Sequence, residues 1–367
     1  MAPERMLAQV YRGTPALKLE EVEVPPLEKG EVRVKVSYCG ICGSDLHEVY
    51  HGPLTCCPAG QPHPLTGRTI PETLGHEFSG TIVDVGEGVD GSRLKVGTRV
   101  CIEPVISCRE CESCKQGLTP LCATPIGLYG YSRPGGLAPF VNVAQTNVHV
   151  VPDNVPLDIA ALAEPLSVAW HAVGCSSFQR GETALVLGSG PIGALVTRVL
   201  VARGASAVYV SEPSPVRAQI AYSCGATEVV DPTKEDVVKR VMDLTKGRGV
   251  DVAIDCAGMQ RTLDAAMEGV RKKGRVVMVA LWDKDKKPTV DMWNLLGKES
   301  TLTSSCCFNA QDMREVLAAL SAGTIKVDDL ITSRIRLEEV FDKGLEVLRS
   351  DPSQVKILVQ LEEREEK

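Results

Sequence analysis

The chain has 367 residues, of which 44% are hydrophobic, and its formal net charge is −7. That length is enough for two domains with separate cores, and the mixed but net acidic charge argues against nucleic acid or an anionic membrane as a partner. The first residues lack the apolar core of a signal peptide, and no run approaches the ~18 apolar residues that a membrane span needs. We therefore expect a globular protein of the cytoplasm.

Short stretches of alternating apolar and polar residues dominate the chain up to residue 151. Val32, Val34 and Val36 alternate with charged residues, which is typical of a β-strand with one buried face. Residues 39–47 are predicted to be a loop that enters a short helix, and further strands are predicted near residues 81–83 and 97–100. This region is therefore predicted to be β-rich, with long loops.

The fourteen cysteines of the chain are unevenly distributed. Without an export signal, clustered cysteines are more often metal ligands than disulfide partners. Cys108, Cys111, Cys114 and Cys122 lie close enough in sequence to close a tetrahedral zinc site with no open position, so this zinc would stabilise a loop and would not bind substrate. Several other cysteines are predicted to be small buried apolar side chains: Cys56, Cys57, Cys175, Cys224, Cys256, Cys306 and Cys307.

A second set of possible ligands is scattered along the chain: Cys42, His76, Glu77 and Glu164. A catalytic zinc uses mixed ligands from distant positions and keeps one coordination position open. Each residue also has a plain structural explanation, because Cys42 could be buried filler and His76 could be a hydrogen-bonded residue at a strand start. Glu164 could simply favour a helix N-terminus. The residue types alone leave both alternatives open.

Helices and strands alternate from about residue 166 to residue 279, which predicts a doubly wound α/β domain. A glycine-rich turn follows the predicted strand 185–187 and precedes a predicted helix; its residues are Gly188, Ser189, Gly190, Pro191, Ile192 and Gly193. This G-x-G-x-x-G pattern lets a pyrophosphate lie on the helix N-terminus. Glu212 ends the next predicted strand, where its carboxylate would bind ribose hydroxyls, repel a 2′-phosphate and favour NAD. Arg217 would lie near the adenine or be a solvated charge.

Four motifs occur in one order along the chain: residues 40–45 (GICGSD), residues 75–77 (GHE), the four cysteines, and the glycine turn. Together they resemble the zinc-dependent medium-chain alcohol dehydrogenases. Residues 62–67 and 163–171 are most similar to the polyol and 2,3-butanediol dehydrogenases. The resemblance implies a Rossmann NAD-binding domain with a doubly wound parallel sheet at 166–305. It also implies a β-rich, GroES-like catalytic domain built from 1–165 and 306–367.

The same resemblance implies roles for individual residues. Cys42, His76 and Glu164 would bind a catalytic zinc, and Glu77 would be an alternate ligand or support the others. Ser44 and His47 would form a proton relay, and one further zinc would be structural. The choice between Glu77 and Glu164 as the third ligand stays open.

The implied reaction is hydride transfer between NAD(H) and a secondary alcohol or ketone, and the expected substrate is a vicinal diol or acyloin, similar to 2,3-butanediol and acetoin, or a polyol. An alternative is a ketone reductase of a specialised biosynthetic pathway, because Pro139 and the segment 306–308 depart from the family pattern. A non-redox zinc lyase or epimerase on the same scaffold is the alternative from another class. A homodimer or homotetramer is expected, with residues 295–305 as the segment that pairs across a two-fold axis.

Overall fold

The computed structural model describes residues 4–282 and 285–361. The chain divides into two compact units: unit 1 comprises Met1–Glu164 and Asn309–Lys367, and unit 2 comprises Pro165–Phe308. Unit 1 is therefore built from both ends of the chain. Residues 1–3 and 362–367, at the ends of the predicted catalytic segments, lie outside the described residues.

The first segment of unit 1 contains strands β1 Arg5–Tyr11, β2 Leu17–Glu23, β3 Glu31–Gly40, β4 Glu72–Thr73, β5 Glu77–Val85, β6 Arg99–Ile102, β7 Val105–Ile106, β8 Gly127–Leu128, β9 Phe140–Ala144 and β10 Val148–Val150. Its helices are α1 Gly43–His51, α2 Glu112–Lys115, α3 Leu157–Ala161 and the start of α4 Ala163–Cys175, with 3₁₀ turns at Thr119–Leu121 and Gln145–Asn147.

Unit 2 contains strands β11 Thr183–Leu187, β12 Ala207–Ser211, β13 Glu228–Val230, β14 Val250–Asp255, β15 Val270–Met278 and β16 Thr301–Ser304. Its helices after α4 are α5 Pro191–Ala202, α6 Pro215–Ser223, α7 Val237–Leu244, α8 Gln260–Gly269 and α9 Met292–Lys298. The last segment of unit 1 contains helices α10 Ala310–Ser321 and α11 Glu346–Ser350, strands β17 Ile331–Arg336 and β18 Lys356–Gln360, 3₁₀ turns at Asp328–Leu330 and Leu337–Glu339, and a π-helical turn at Val340–Leu345.

The main sheet of unit 1 has the strand order β10-β6-β5-β3-β18-β17, with β9 also paired to β3. The alternation that predicted β3 places Val32, Val34 and Val36 in the core, where each is essentially inaccessible to solvent. Strand β18 pairs with β3 in an antiparallel register, Leu358 opposite Gly40. The C-terminal strand is thus integral to the sheet that carries the N-terminal motifs.

The sheet of unit 2 is parallel throughout, with the order β13-β12-β11-β14-β15-β16. Counted within the unit this is 3-2-1-4-5-6, the order of a doubly wound dinucleotide-binding fold. All residues of β14 are buried, as expected for a central parallel strand covered by helices on both faces. The strand order reverses between β11 and β14, and ligands of such sheets bind at the strand carboxyl ends near this reversal.

Two segments are less regular than a single helix or strand. Residues 337–350 form a 3₁₀ turn, a π turn and α11 rather than one regular helix. Within the π turn, a Cβ on Gly344 would clash with Ile41 Cδ1, so the backbone packs directly on that side chain. The segment 295–305 is partly helical, because α9 continues to Lys298 before a left-handed Glu299 (φ 46°) ends it. Within the described ranges, no helix has the length and apolar character to cross a membrane.

The prediction of buried cysteine side chains is wrong for Cys306, which is exposed because β16 ends at Ser304 and the chain leaves the sheet there. The other predicted positions are buried or partly buried: Cys56, Cys57, Cys175, Cys224, Cys256 and Cys307.

Candidate active site and metal centres

Cys108, Cys111, Cys114 and Cys122 converge in unit 1 and are called here the four-cysteine cluster. Their sulfurs all lie within 4.8 Å of one another, with Sγ–Sγ distances of 3.4 Å for Cys108–Cys122, 3.9 Å for Cys108–Cys114 and 4.0 Å for Cys111–Cys122. A tetrahedral Zn–S bond of about 2.3 Å requires sulfurs about 3.8 Å apart. The cluster therefore has the dimensions of a closed four-thiolate zinc site.

Backbone N–H groups around the four-cysteine cluster favour the thiolate form that zinc needs. Cys108 Sγ accepts hydrogen bonds from Glu110 N and Cys111 N, and Cys111 Sγ accepts one from Ala123 N. These donors lower the pKa of Cys108 and bring the pKa of Cys111 down to about 6. Since the sulfurs are both correctly spaced and activated, the residues fit a bound metal ion.

Cys42, His76 and Glu77 form a second group, called here the mixed cluster, whose ligand atoms also lie within 4.8 Å of one another. Cys42 is the N-cap of α1, and Asp45 Oδ2 accepts a hydrogen bond of 2.9 Å from Cys42 N, which closes the helix N-terminus. His76 and Glu77 come from the start of β5, next to α1. The fold thus brings Cys42 next to two residues that lie 34 and 35 positions further along the chain.

Asp45 also orients His76. Asp45 Oδ1 lies 3.6 Å from His76 Nδ1, and the other ring nitrogen, Nε2, lies 3.5 Å from Ser44 Oγ. A carboxylate at one imidazole nitrogen leaves the other for a metal, as in known zinc centres. Burial lowers the pKa of His76, but Asp45 and Cys42 outweigh burial and raise that pKa well above its usual range. The negative charge around the ring therefore suits a cation.

Glu77 is paired with a buried lysine. Both Glu77 carboxylate oxygens accept hydrogen bonds from Lys356 Nζ, at 2.7 and 2.6 Å, and Lys356 also lies 3.4 Å from the carbonyl oxygen of Ile41. Glu77 and Lys356 are 1% and 3% exposed, so their charges compensate one another away from water. Glu77 is within reach of a metal at the mixed cluster, but its oxygens are engaged by Lys356.

Glu164 lies in the first turn of α4 and is buried. Burial raises the pKa of Glu164 to about 8; His76 opposes this rise and Glu77 adds to it. These couplings place Glu164 beside the mixed cluster, although it is outside the group of atoms within 4.8 Å. Lys356 also opposes the rise, and a metal ion bound nearby would stabilise the charged form of this buried carboxyl group further.

Ser44 and His47 lie one turn apart on α1. Ser44 Oγ is close to His76, whereas His47 is exposed, with its ring centroid 6.1 Å from that of His51. Of the two predicted relay residues, Ser44 therefore lies next to the mixed cluster and His47 lies at the solvent-exposed surface of α1.

Tyr131 is a site residue that sequence reasoning missed as such. Its hydroxyl lies within hydrogen-bond distance of Ser44 Oγ (2.9 Å) and of Asp45 Oδ1 (3.0 Å), and its ring lies 5.2 Å from that of His76. Burial raises the pKa of Tyr131 well above its usual range, so the hydroxyl keeps its hydrogen. Nothing in the local sequence marked it as a hydrogen-bonding residue of the site.

The glycine turn of unit 2 has the close approaches that its pattern predicts. Gly188 has φ +90°, and a Cβ on Gly193 would lie 1.9 Å from Gly188 O, so a side chain at Gly193 would separate the helix from the strand. Gly190 caps α5 and Pro191 is its first residue, with Ile192 next. A Cβ on Gly190 would meet no atom within 4 Å. The α5 N-terminus is therefore open to an anion such as a pyrophosphate.

Glu212 directly follows β12 and is held by backbone donors. Its Oε2 accepts from Ser189 N at 2.7 Å and its Oε1 accepts from Ser214 N at 2.9 Å. Each oxygen keeps further acceptor capacity for a hydroxyl group. Arg217 is partly buried on α6, where its backbone N–H completes the cap of Ser214.

A cavity of about 210 Å³ opens beside the same turn at the carboxyl ends of β11 and β12. Leu187 and Gly188 form one wall, and residues of α7 and α8 form the other. Sequence reasoning did not find this opposite wall, which includes Pro232, Asp236, Met259 and Arg261. The cavity lies where a doubly wound fold binds a nucleotide.

Known proteins resemble both units. The family model described as "Alcohol dehydrogenase GroES-like domain" matches residues 28–153, and the one described as "Zinc-binding dehydrogenase" matches residues 191–322.

The (R,R)-butanediol dehydrogenase of Neisseria gonorrhoeae is 37% identical over 346 residues, covering 94% of this chain and 96% of that protein. The crystal structure of 2R,3R-butanediol dehydrogenase from Bacillus subtilis has a TM-score of 0.91 at 38% identity, covering 97% of this chain and 100% of that one. An Escherichia coli dehydrogenase solved with NADH has a TM-score of 0.87 at 28% identity, covering 98% and 100%.

Proposed function

Because the chain belongs to the zinc-binding dehydrogenases with an alcohol dehydrogenase GroES-like domain, we propose that it transfers a hydride between NAD(H) and a vicinal diol or the corresponding acyloin. It is an oxidoreductase with zinc and a nicotinamide dinucleotide as cofactors. The proposed substrate class is supported by the mixed cluster, which lies beside Ser44. The chain that contains this cluster is similar to butanediol dehydrogenases.

Unit 1 is the catalytic half in this proposal. Cys42, His76 and Glu164 hold the zinc, and Glu77 stays paired with Lys356, because each Glu77 oxygen already binds a buried ammonium group. Zinc bound there supplies Lewis acidity, which favours ionisation of an alcohol near neutral pH. The four-cysteine cluster holds the second zinc, which stabilises its loop.

Ser44 and His47 carry the proton in this proposal. Ser44 Oγ is the hydroxyl group beside His76; it takes up the hydroxyl proton of the alcohol while it passes its own proton on toward His47 and solvent. Tyr131 donates to Ser44 Oγ and fixes its orientation. His47, exposed on the same helix, exchanges the proton with solvent.

Unit 2 binds the dinucleotide in this proposal. The pyrophosphate lies at the N-terminus of α5, over Gly188, Gly190 and Gly193, and Glu212 binds the adenosine ribose hydroxyls. The negative charge of Glu212 disfavours a 2′-phosphate, so NAD is preferred over NADP. Arg217 lies on the next helix, close enough in sequence to border the adenine.

A homo-oligomer and a cytoplasmic location complete the proposal. Strand β16 ends the described sheet of unit 2, and the neighbouring α9 exposes Met292 (64%), Trp293 (81%) and Leu296 (65%). An apolar surface beside a sheet edge suits pairing with a second copy across a two-fold axis. The four-cysteine cluster needs reduced thiols, which suits the cytoplasm.

The reaction is tested with purified, zinc-loaded protein. We expect the protein to oxidise NADH with acetoin or diacetyl as substrate. The kcat/KM for these substrates should exceed the kcat/KM for 2-butanone, which lacks the second oxygen. It should also be higher with NADH than with NADPH. Zinc content is measured on the same samples. Two zinc ions per chain without any NADH turnover on these ketones would contradict the proposed oxidoreductase substrate and favour a lyase.

A further inference from the structure

Two adjacent cysteines follow the edge strand of unit 2 in a segment that is fixed at both sides. Strand β16 ends at Ser304, and Ser305 N donates a hydrogen bond of 2.9 Å to Met278 O. On the other side, Phe308 is fully buried. Cys306 and Cys307 lie between these anchors, so their position relative to the sheet is defined.

The two thiols differ in exposure and backbone conformation. Cys306 is exposed and Cys307 is partly buried. Cys307 has φ +49°, in the left-handed region that residues other than glycine seldom adopt. Unusual backbone conformations of this kind persist where the surrounding structure imposes them, and they occur preferentially at functional positions.

The environment of Cys306 favours its reactive form. A hydrogen bond from the Cys307 side chain, assisted by the nearby His171, lowers the pKa of Cys306 to about 6 in spite of partial burial. An exposed thiolate next to a second thiol is the arrangement of redox-sensitive cysteines. Cys57 provides a contrast, because burial and then Glu48 raise its pKa.

We propose that Cys306 and Cys307 form a peroxide-sensitive dithiol site, which hydrogen peroxide converts reversibly into a disulfide between the two adjacent residues. The Cys306 sulfur attacks one peroxide oxygen and the O–O bond breaks, which gives a sulfenic acid and one water. The Cys307 sulfur then attacks the Cys306 sulfur, the S–O bond breaks, and a second water leaves with the thiol proton. Two thiols are oxidised and one peroxide is reduced.

The disulfide also affects dinucleotide binding, a consequence that rests on the proposed function. A doubly wound sheet has two halves that each bind one mononucleotide. The glycine turn and Glu212 belong to the half formed by β11–β13, so the nicotinamide half is β14–β16. The dithiol lies at the carboxyl end of β16, and closing the eight-membered ring between Cys306 and Cys307 changes the backbone there. Oxidation therefore weakens NADH binding.

The chemical step is tested by peptide mapping of the zinc-loaded protein after one molar equivalent of hydrogen peroxide. We expect the peptide with Cys306 and Cys307 to become about 2 Da lighter and to recover with dithiothreitol. In Cys307→Ser, Cys306 should stop at a sulfenic acid that dimedone traps, and Cys306→Ser should show neither product. Cys57→Ser is the matched control and should behave like wild type. An unchanged Cys306–Cys307 peptide, or faster oxidation of Cys57, overturns the site.

The effect on the dinucleotide is measured by titration of NADH fluorescence with reduced and oxidised protein. The Kd should rise at least about threefold on oxidation, return with dithiothreitol, and stay constant in peroxide-treated Cys306→Ser. An unchanged Kd in protein shown by mass to carry the disulfide overturns the coupling. If reduced protein does not bind NADH at all, the proposed function fails, whereas the mass measurement still decides whether the dithiol site exists.

Discussion

The two candidate metal sites of unit 1, the four-cysteine cluster and the mixed cluster, differ in how far apart their residues lie in the sequence. The four-cysteine cluster takes all its sulfurs and its N–H donors from residues 108–123. The mixed cluster takes its candidate ligands from the starts of α1 and β5, the neighbouring Glu164 comes from α4, and the charge partner of Glu77 comes from the last strand. A site that must only stay closed can be local, whereas one that must keep a coordination position open depends on the packing of a whole unit.

The clusters also differ in what surrounds the ligands. Around the four cysteines, backbone donors supply most of the polar contacts, so these contacts do not depend on side-chain identity. Around the mixed cluster, Asp45, Tyr131 and Lys356 supply charges and hydroxyl groups that a backbone cannot. Substitutions at the first cluster should therefore act mainly on stability, and those at the second mainly on turnover.

The largest effect on turnover is expected from Cys42→Ser. Loss of a ligand should remove the zinc of the mixed cluster and lower kcat/KM by more than the roughly 100-fold that loss of a supporting group costs. Zinc per chain, measured by mass spectrometry, should fall from about two to about one, while Tm changes little. Cys57→Ser is the control. Full turnover in a Cys42→Ser protein that lacks this zinc would remove Cys42 from the site.

Replacement of Cys111 by Ser reverses this pattern. Zinc should again fall by about one per chain, but Tm should drop by roughly 5–10 °C because the metal holds the loop. Turnover of the folded protein, measured well below Tm, should fall much less than in Cys42→Ser. If both variants lose turnover equally while folded, the division of labour between the clusters is wrong.

Glu164→Gln and Glu77→Gln separate the two possible third ligands. Glu164→Gln should lose the zinc of the mixed cluster and with it turnover. Glu77→Gln should keep zinc but lose stability, because Lys356 becomes an unpaired buried charge that costs about 3–5 kcal/mol.

The double variant Glu77→Gln/Lys356→Met is the control for the charge, and it should recover most of the lost Tm. The assignment fails if Glu77→Gln loses zinc while Glu164→Gln retains it.

A smaller effect is expected from Tyr131→Phe, which removes one hydroxyl and keeps the ring. We expect kcat to fall about fivefold to tenfold with little change in KM and no loss of zinc, in the range of removing one hydrogen bond. Ser44→Ala should also slow turnover without zinc loss. In the Tyr131→Phe/Ser44→Ala double variant, the loss in kcat should be smaller than the two single effects combined, because Tyr131 acts through Ser44. Tyr129→Phe, whose hydroxyl accepts from Ala144 N, is the control. Additive effects would separate Tyr131 from the relay.

The smallest effect concerns pH and the metal-free four-cysteine cluster. The pKa of Cys111 is about 6 in the folded protein, below the ordinary value of 9.0 for a cysteine thiol, so the folded state favours the thiolate. Its contribution to stability is complete above pH 9 and is lost as the pH falls toward 6. Burial raises the pKa of Cys114 to about 11, so Cys114 stays a thiol in this window. After chelation, the Tm difference between wild type and Cys111→Ser should therefore grow from pH 6 to pH 8.5; a constant difference contradicts the pKa shift.

Sequence patterns were sufficient to predict the local geometry of a site where the interacting residues are close together in the chain. The cysteine spacings and the glycine turn predicted their local geometry, because a few short loops determine it. Lys356 and Tyr131 carried no such signal: their contacts with Glu77 and Asp45 join residues 279 and 86 positions apart. Cys306 was expected to be buried because cysteine is a small apolar side chain. It is exposed because β16 ends two residues before it, which the sequence did not indicate.

The antiparallel pairing of β3 with β18 has a consequence for biosynthesis. During translation, the ribosome completes all of unit 2 before it reaches the strand that carries Lys356. Until then the main sheet of unit 1 lacks β17 and β18, and Glu77 has no ammonium partner to offset its burial. A nascent chain can therefore fold the dinucleotide-binding half first, as domains fold as units during synthesis. The metal-binding half is finished last, which restricts assembly of the reactive centre to chains that have been synthesised almost to their end.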